Sequence, residues 1–137
     1  MSFGSDIEAW AKKAQVAKVT ALRHAAFRSF EEVLIGSRVK TGRFRESWRI
    51  GINAQDISAE PVRTEPASYS AGDPPTQSEL AIPRSVLPRV KWGDDVLITN
   101  ALPYARKLEV EDGTLRRALD RVSEEMRRYK PSAVEAA

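Results

Sequence analysis

The sequence predicts an α+β fold, with a long N-terminal helix and a C-terminal helix packed on a small antiparallel β-sheet that carries a long inserted loop. Three observations predict it. Helical periodicity without Gly or Pro runs over residues 5–35. Two short segments, 48–53 and 94–99, have the apolar patterns of strands, and a second helical stripe covers about residues 114–129.

The first predicted element is a helix of about 45 Å, at about 1.5 Å per residue. It is expected to end before Gly36, a residue type that favours helix C-termini. Its apolar residues fall on an Ala-rich face and on a face with larger side chains such as Phe27 and Phe30. We expect the larger face to lie on the sheet and the Ala-rich face to contact a neighbouring subunit. A single stripe on a bent helix, or two shorter helices, is the alternative.

The first predicted strand has alternating apolar residues at Trp48, Ile50 and Ile52, and the second is "DDVLIT" at 94–99. Residues 55–91 lie between them and hold six of the eight prolines, which indicates a loop that protrudes or is mobile. The apolar residues within this loop are expected in short strand pieces: Leu80, Ile82, Val86, Leu87 and Val90.

The last predicted helix has a single apolar stripe, made of Leu115, Leu119, Val122, Met126 and Tyr129. Its arginines are candidates for contacts with DNA or a partner: Arg116, Arg117, Arg121, Arg127 and Arg128. Acidic residues alternate with them at spacings that allow intrahelical ion pairs, so we expect most of this charge to form a solvated face. One domain is expected over residues 1–130, followed by a flexible tail at 131–137.

The sequence offers no set of residues for catalysis, and we expect no catalytic, cofactor-binding or metal-binding residues. It has no cysteine, and His24 is the single histidine, so neither a zinc site nor a His-dependent nucleophile has its partners. The acidic cluster at 109–112 lacks further metal ligands. No apolar run of about 18 residues exists, so we expect no membrane span. The net charge of +3 is a weak signal for DNA binding.

Two segments, "VKTGRFRESWRIGIN" at 39–53 and "VLITNALPYARKLE" at 96–109, together resemble the tail-completion (minor tail protein Z-like) family of long-tailed bacteriophages. The order of elements also matches this family over most of the chain. The positions that carry the resemblance are Thr41, Gly42, Arg43, Phe44, Arg45 and Trp48, then Asn100, Pro103, Tyr104, Ala105, Leu108 and Glu109.

The resemblance implies a virion structural protein at the head–tail junction, present in the host cytoplasm during assembly. It implies a homo-oligomeric ring, usually hexameric, that joins the tail tube or tail terminator to the head connector. DNA would pass through its lumen without sequence recognition. The chain departs from the family at "LEVEDGTLRRAL", where members continue with Tyr-Gly. A tail terminator or a head-side stopper therefore stays open, as does a small basic DNA-binding protein that uses the last helix.

The second motif suggests a corner at the end of its strand. We expect Asn100 to stop the strand by bonding local backbone groups, and Pro103 to start a helical turn. Glu109 is expected to pair with Arg43 or Arg45 of the first motif. Two more residues of this motif are expected to pack on the sheet near Trp48: Tyr104 and Leu108.

Overall fold

The computed structural model describes residues 3–39, 43–58 and 70–129, with the side chains of residues 3–7 and of Trp10 outside this description. The α+β prediction is confirmed, because helices pack around a two-stranded antiparallel sheet. The elements in chain order are α1 (Phe3–Gly36), α2 (Arg43–Glu46), β1 (Trp48–Ile52), α3 (Gln77–Val86), a 3-10 turn (Leu87–Arg89), β2 (Val96–Asn100), α4 (Ala105–Asp112) and α5 (Thr114–Met126).

The long N-terminal helix is confirmed as α1, whose 34 residues extend about 51 Å. Its C-terminal half supplies the core, where Phe30 and Val33 are fully buried and Leu34 nearly so. Among the described side chains of α1, none before Ala26 is buried. The large side chains of this half pack in one core with Trp48 and Ile50 of the sheet, as predicted, whereas Val16 of the same predicted face is 43% exposed. The contact of the Ala-rich face with a neighbouring subunit stays a prediction.

The sheet pairs β1 with β2 in an antiparallel register that runs from Trp48 opposite Asn100 to Ile52 opposite Val96. Trp48 and Ile50 are buried, and Ile52 is half-buried on the same face. The predicted alternation is confirmed. At the far end of the sheet, the amide of Asn53 donates to the carbonyl of Asp95 at 2.8 Å and extends the pairing by one step.

The prediction of a loop with short strand pieces is wrong over residues 77–89, which are helical. Thr76 caps α3 through a capping box with Glu79, so this helix starts on a local signal. Leu80, Pro83 and Leu87 are buried at helical spacing, which anchors the segment to the core. Residues 59–69 of the predicted loop, like the predicted tail at 131–137, lie outside the described residues.

The C-terminal helix is confirmed as α5, but its buried stripe is rotated from the predicted one. Thr114, Ala118 and Val122 are buried, whereas Leu119 is 44% exposed. The small residues face α1 closely, since a Cβ built on Gly36 would lie 3.5 Å from Cγ2 of Thr114. Close helix approach thus selects Thr114 and Ala118 for the contact, and the prediction for Leu119 is wrong.

Candidate functional site

The two motif segments meet at the end of the sheet, where Asn100 links them. Its Nδ2 donates to the carbonyl of Phe44 at 2.8 Å, while its Oδ1 accepts from the amide of Leu102 at 3.2 Å. The second bond is the predicted local turn that ends the strand. The first is a contact between the motifs, and it fixes the corner after β2 against α2.

Trp48 lies under this corner and is 3% exposed. Its Nε1 donates to Oγ of Ser37 at 2.8 Å, which ties β1 to the end of α1. Its ring lies 5.4 Å from the ring of Phe44 at an interplanar angle of 60°, a tilted arrangement that aromatic pairs favour. Trp48 of the first motif is therefore a packing residue of the core and not an exposed binding group.

Arg45 is fully buried, and its guanidinium donates hydrogen bonds to a carboxylate and to two backbone carbonyls. Nε and Nη2 donate to the two carboxylate oxygens of Glu79 at 2.8 and 3.0 Å. Nη1 and Nη2 also donate to the carbonyls of Asp73 and Pro74 at 2.9 and 3.1 Å. The bidentate pair holds α3 and the segment before it against α2. Sequence reasoning missed Glu79, although the T-x-x-E capping signal at Thr76 marks it.

Burial and hydrogen bonds act in opposite directions on the pKa of the Glu79 carboxylate. Burial acts to raise the pKa of Glu79, but the bonds from Arg45 and from the amide of Thr76 outweigh it and hold the pKa below its usual value of 4.5. The ionised form is therefore the form that the fold stabilises. A group whose pKa is lowered by folding stabilises the protein above its unfolded pKa and loses this effect as the pH falls through the folded pKa.

The contribution of the Glu79 carboxylate to stability should depend on pH. We expect the difference in free energy of unfolding between the wild type and Glu79→Gln to be largest near neutral pH and to shrink as the pH falls below about 4.5. Urea unfolding at a series of pH values measures it. Glu124→Gln, at an exposed carboxylate, is the matched control and should track the wild type throughout. A pH-independent difference for Glu79→Gln would contradict the expectation.

Glu109 caps the start of α5. Its Oε1 accepts from the amide of Leu115 at 2.8 Å, and its Oε2 accepts from the amide of Arg116 at 3.2 Å. Gly113 between the helices adopts a left-handed conformation, with φ of 63°, which turns the chain sharply enough for this contact. This arrangement differs from the predicted pairing of Glu109 with Arg43 or Arg45, because the carboxylate accepts hydrogen bonds from backbone amides of α5 instead.

Removing this cap should loosen α5. Glu109→Ala is expected to lower the free energy of unfolding by about 1 kcal/mol, since two first-turn amides lose their acceptor. Thermal and urea unfolding measure the change. Glu124→Ala removes a carboxylate whose ion pair lies on the exposed surface of the same helix, so it should cost less than about 0.5 kcal/mol. Equal costs for the two variants would show that Glu109 does not act as a cap.

The other motif positions divide between packing and surface. Leu108 is half-buried and packs against the core, while its predicted place on the sheet near Trp48 stays a prediction. Tyr104 is 40% exposed at the start of α4, so the prediction that it packs like Leu108 is wrong. Pro103 and Arg43 are exposed. Thr41 and Gly42 lie outside the described residues.

The arginines of α5 are partly neutralised by carboxylates. Arg121 pairs with Glu32 of α1 at 3.0 Å, and Arg127, directly after α5, pairs with Glu124 of this helix at 2.9 Å. Three arginines are exposed and form no ion pair within the described residues: Arg116, Arg117 and Arg128. The predicted intrahelical pairing thus holds for one pair, while Arg121 is bound across the α1–α5 contact.

Arg28 of α1 is the centre of this ion-pair cluster. Its guanidinium contacts Glu125 of α5 at 3.0 Å, and Glu31 and Glu32 of its own helix at 3.0 and 2.7 Å. The hydrogen bond with Glu125 is the main cause that raises the pKa of Arg28, and the same bond lowers the pKa of Glu125. The cluster fixes α5 on α1 by charge as well as by packing.

Within residues 3–39, 43–58 and 70–129, no three acidic or histidine side chains come together as a metal-binding group. Glu111 and Asp112 of the acidic cluster instead contact Arg38. In the same ranges, no helix has both the length and the hydropathy to cross a bilayer. His24 stacks on Tyr129, with ring centroids 4.2 Å apart.

Comparison with known protein families, with curated proteins and with solved structures found no match to this chain.

Proposed function

We propose that this protein is a structural subunit of the head–tail junction of a long-tailed phage or a related particle, where it forms a ring that joins the tail to the head connector. DNA passes through the lumen without being read. A tail terminator or a head-side stopper of the same junction is the nearest alternative. The protein acts by contacts with copies of itself and with adjoining rings, so its work requires no bond to be made or broken.

The observation that carries the proposal is the corner that unites the two motif segments. Trp48 and Asn100 face each other in the strand register, and the Asn100 amide bonds the Phe44 carbonyl. Of the described positions that carry the resemblance, Phe44, Trp48 and Asn100 therefore meet at one corner. Arg45 and Trp48 are buried, and Tyr104 lies at the surface.

The shape of α1 supports self-association. None of its described side chains before Ala26 is buried, and only Val19 and Leu22 among them pack against the core, although a helix of one small domain normally buries a stripe along its length. A neighbouring subunit packed on the Ala-rich face of this half would cover that face through a heterologous contact, the kind that closes into rings.

Light scattering after size exclusion, together with native mass spectrometry of the full chain, tests this role. We expect a closed multimer, or a monomer that assembles when tail extract is added. Immunogold electron microscopy of the tailed particles should label the junction of head and tail. Label along the tube, or absence from the particles, would overturn the proposal.

DNA binding through α5 is the second candidate, because Arg116, Arg117 and Arg128 are exposed and form no ion pair within the described part of the chain. Retention of duplex DNA that falls steeply with added salt would favour it. The triple replacement of these arginines by glutamine should then abolish retention. Under the structural role, the same variant should assemble like the wild type.

A further inference from the structure

A rigid turn displays Trp92 to solvent. The amide of Asp94 donates to the carbonyl of Lys91 at 3.1 Å, and the amide of Lys91 donates to Oδ2 of Asp94 at 2.8 Å. Asn53 Nδ2 braces the other oxygen of Asp94 at 2.9 Å, and Gly93 has a φ of 87° that the turn requires. The turn is thus fixed from both sides, yet Trp92 at its tip is 53% exposed.

A cleft of about 440 Å³ lies between this turn and α1. Its apolar walls come from Val16, Val19 and Val90, and Trp92 closes one side. A rigid, exposed tryptophan beside an apolar cleft has the features of an interface anchor, since tryptophan dominates binding energies at protein interfaces.

Cations surround the cleft. Three of them line it: Lys12, Arg23 and Lys91. The fourth is Lys18, whose Nζ lies 5.2 Å from the centroid of the Trp92 ring. Among the described residues, none of these four belongs to an ion pair with a carboxylate within 4 Å. Asp94 is held by Asn53 and by the Lys91 amide, and Glu8 is four residues before Lys12 on α1. Among the residues that the structure describes, the positive charge around the cleft therefore exceeds the negative charge.

We propose that this cleft binds an acidic segment of another protein. An aliphatic or aromatic side chain of that segment lies between Val16 and Trp92, and its carboxylates contact the lysines at the rim. An apolar centre with a charged rim is the usual anatomy of a protein interface. The volume suits one or two side chains, so the cleft holds a short anchor rather than a whole domain.

A single nucleic acid strand would use the same cations, but the cleft favours a peptide. Strand binders offer open aromatic faces for stacking. Here Lys18 already lies over the Trp92 ring and competes with a base for that face. Beside the ring, Val16 and Val19 give a small apolar surface next to the polar side chains of Gln15 and Thr20, which fits one apolar side chain better than a stacked base. The inference concerns what the cleft binds and does not rest on the proposed role in the virion.

Fluorescence anisotropy with a labelled, glutamate-rich peptide that carries a central Leu-Phe pair tests the cleft on the full chain. We expect binding that weakens at least about tenfold in Trp92→Ala and in the double variant Lys12→Glu, Lys91→Glu. Val110→Ala is the matched control, because Val110 is 82% exposed and does not line the cleft. It should bind like the wild type. Circular dichroism checks that each variant is folded.

The outcomes separate cleanly. No binding up to about millimolar peptide, wild-type affinity in Trp92→Ala, or equal binding of a peptide with lysines in place of the glutamates each overturns the inference. Tighter binding of oligothymidylate, lost in the same variants, assigns the cleft to nucleic acid and also overturns it. Cleft-dependent peptide binding by a chain that never enters a particle would instead refute the role at the head–tail junction alone.

Discussion

Replacing Arg45 with methionine should destabilise the protein by about 3–5 kcal/mol, because it leaves the Glu79 carboxylate without the partner that balances its burial. The side chain of Arg45 is fully buried and that of Glu79 is 10% exposed, so little water can replace the lost bonds. The carbonyls of Asp73 and Pro74 lose their donors as well. Urea unfolding followed by circular dichroism measures the change.

A double-mutant cycle separates the ion pair from the packing. Arg45→Met combined with Glu79→Leu should recover a large part of the loss, since two apolar groups no longer leave a buried charge unpaired. Arg89→Ala is the matched control at an exposed arginine and should stay within about 0.5 kcal/mol of the wild type. A cost below about 1 kcal/mol for Arg45→Met would mean that water reaches this ion pair, and it would contradict the expectation.

The elements that the sequence predicted correctly are those with an uninterrupted local period. The helix α1 has no Gly or Pro over 31 residues, and β1 alternates Trp48, Ile50 and Ile52 between small or polar residues. In each pattern the apolar residues repeat on one face that packs on the core, so the spacing of residues along the chain is enough to predict the element. The α+β class follows from these elements together with α5.

The helix α3 was missed because prolines conceal its period. Pro74 and Pro75 precede it and Pro83 lies within it, so composition indicated a loop. The ring of Pro83 is buried against the core, and this packing offsets part of the cost of the helix hydrogen bond that proline cannot donate. Thr76 and Glu79 carried the opposite signal, a capping box, and local hydrogen bonding prevailed over the composition.

The partners of charged motif residues could not be predicted, because they depend on which elements the fold brings together. Arg45 and Glu79 are 34 positions apart, and nothing in either motif specifies α3 as the neighbour. Glu109 instead accepts from the amide of Leu115, only six residues along the chain, because the left-handed turn at Gly113 brings the start of α5 back to it. Charge pairing over such distances is decided by packing, and sequence spacing alone leaves it open.

The second large effect is expected at Trp48, where replacement by alanine should cost about 3–5 kcal/mol. The ring fills the space beneath the corner, contacts Phe44, and is 3% exposed. Its removal would leave a cavity among α1, α2 and the sheet, elements that cannot collapse together without breaking the β1–β2 register. Chemical denaturation measures the loss.

Comparing Trp48→Phe with Trp48→Ala separates the stability that comes from packing of the ring from the stability that comes from its hydrogen bond. Trp48→Phe keeps most of the packing but removes the donor to Ser37 Oγ, so it should cost about 1–2 kcal/mol. Trp92→Ala is the matched control, because it removes a tryptophan that is 53% exposed, and it should lower the free energy of unfolding by less than about 1.5 kcal/mol. Similar costs at the two tryptophans would contradict the burial of Trp48, and with it the corner on which the proposed role rests.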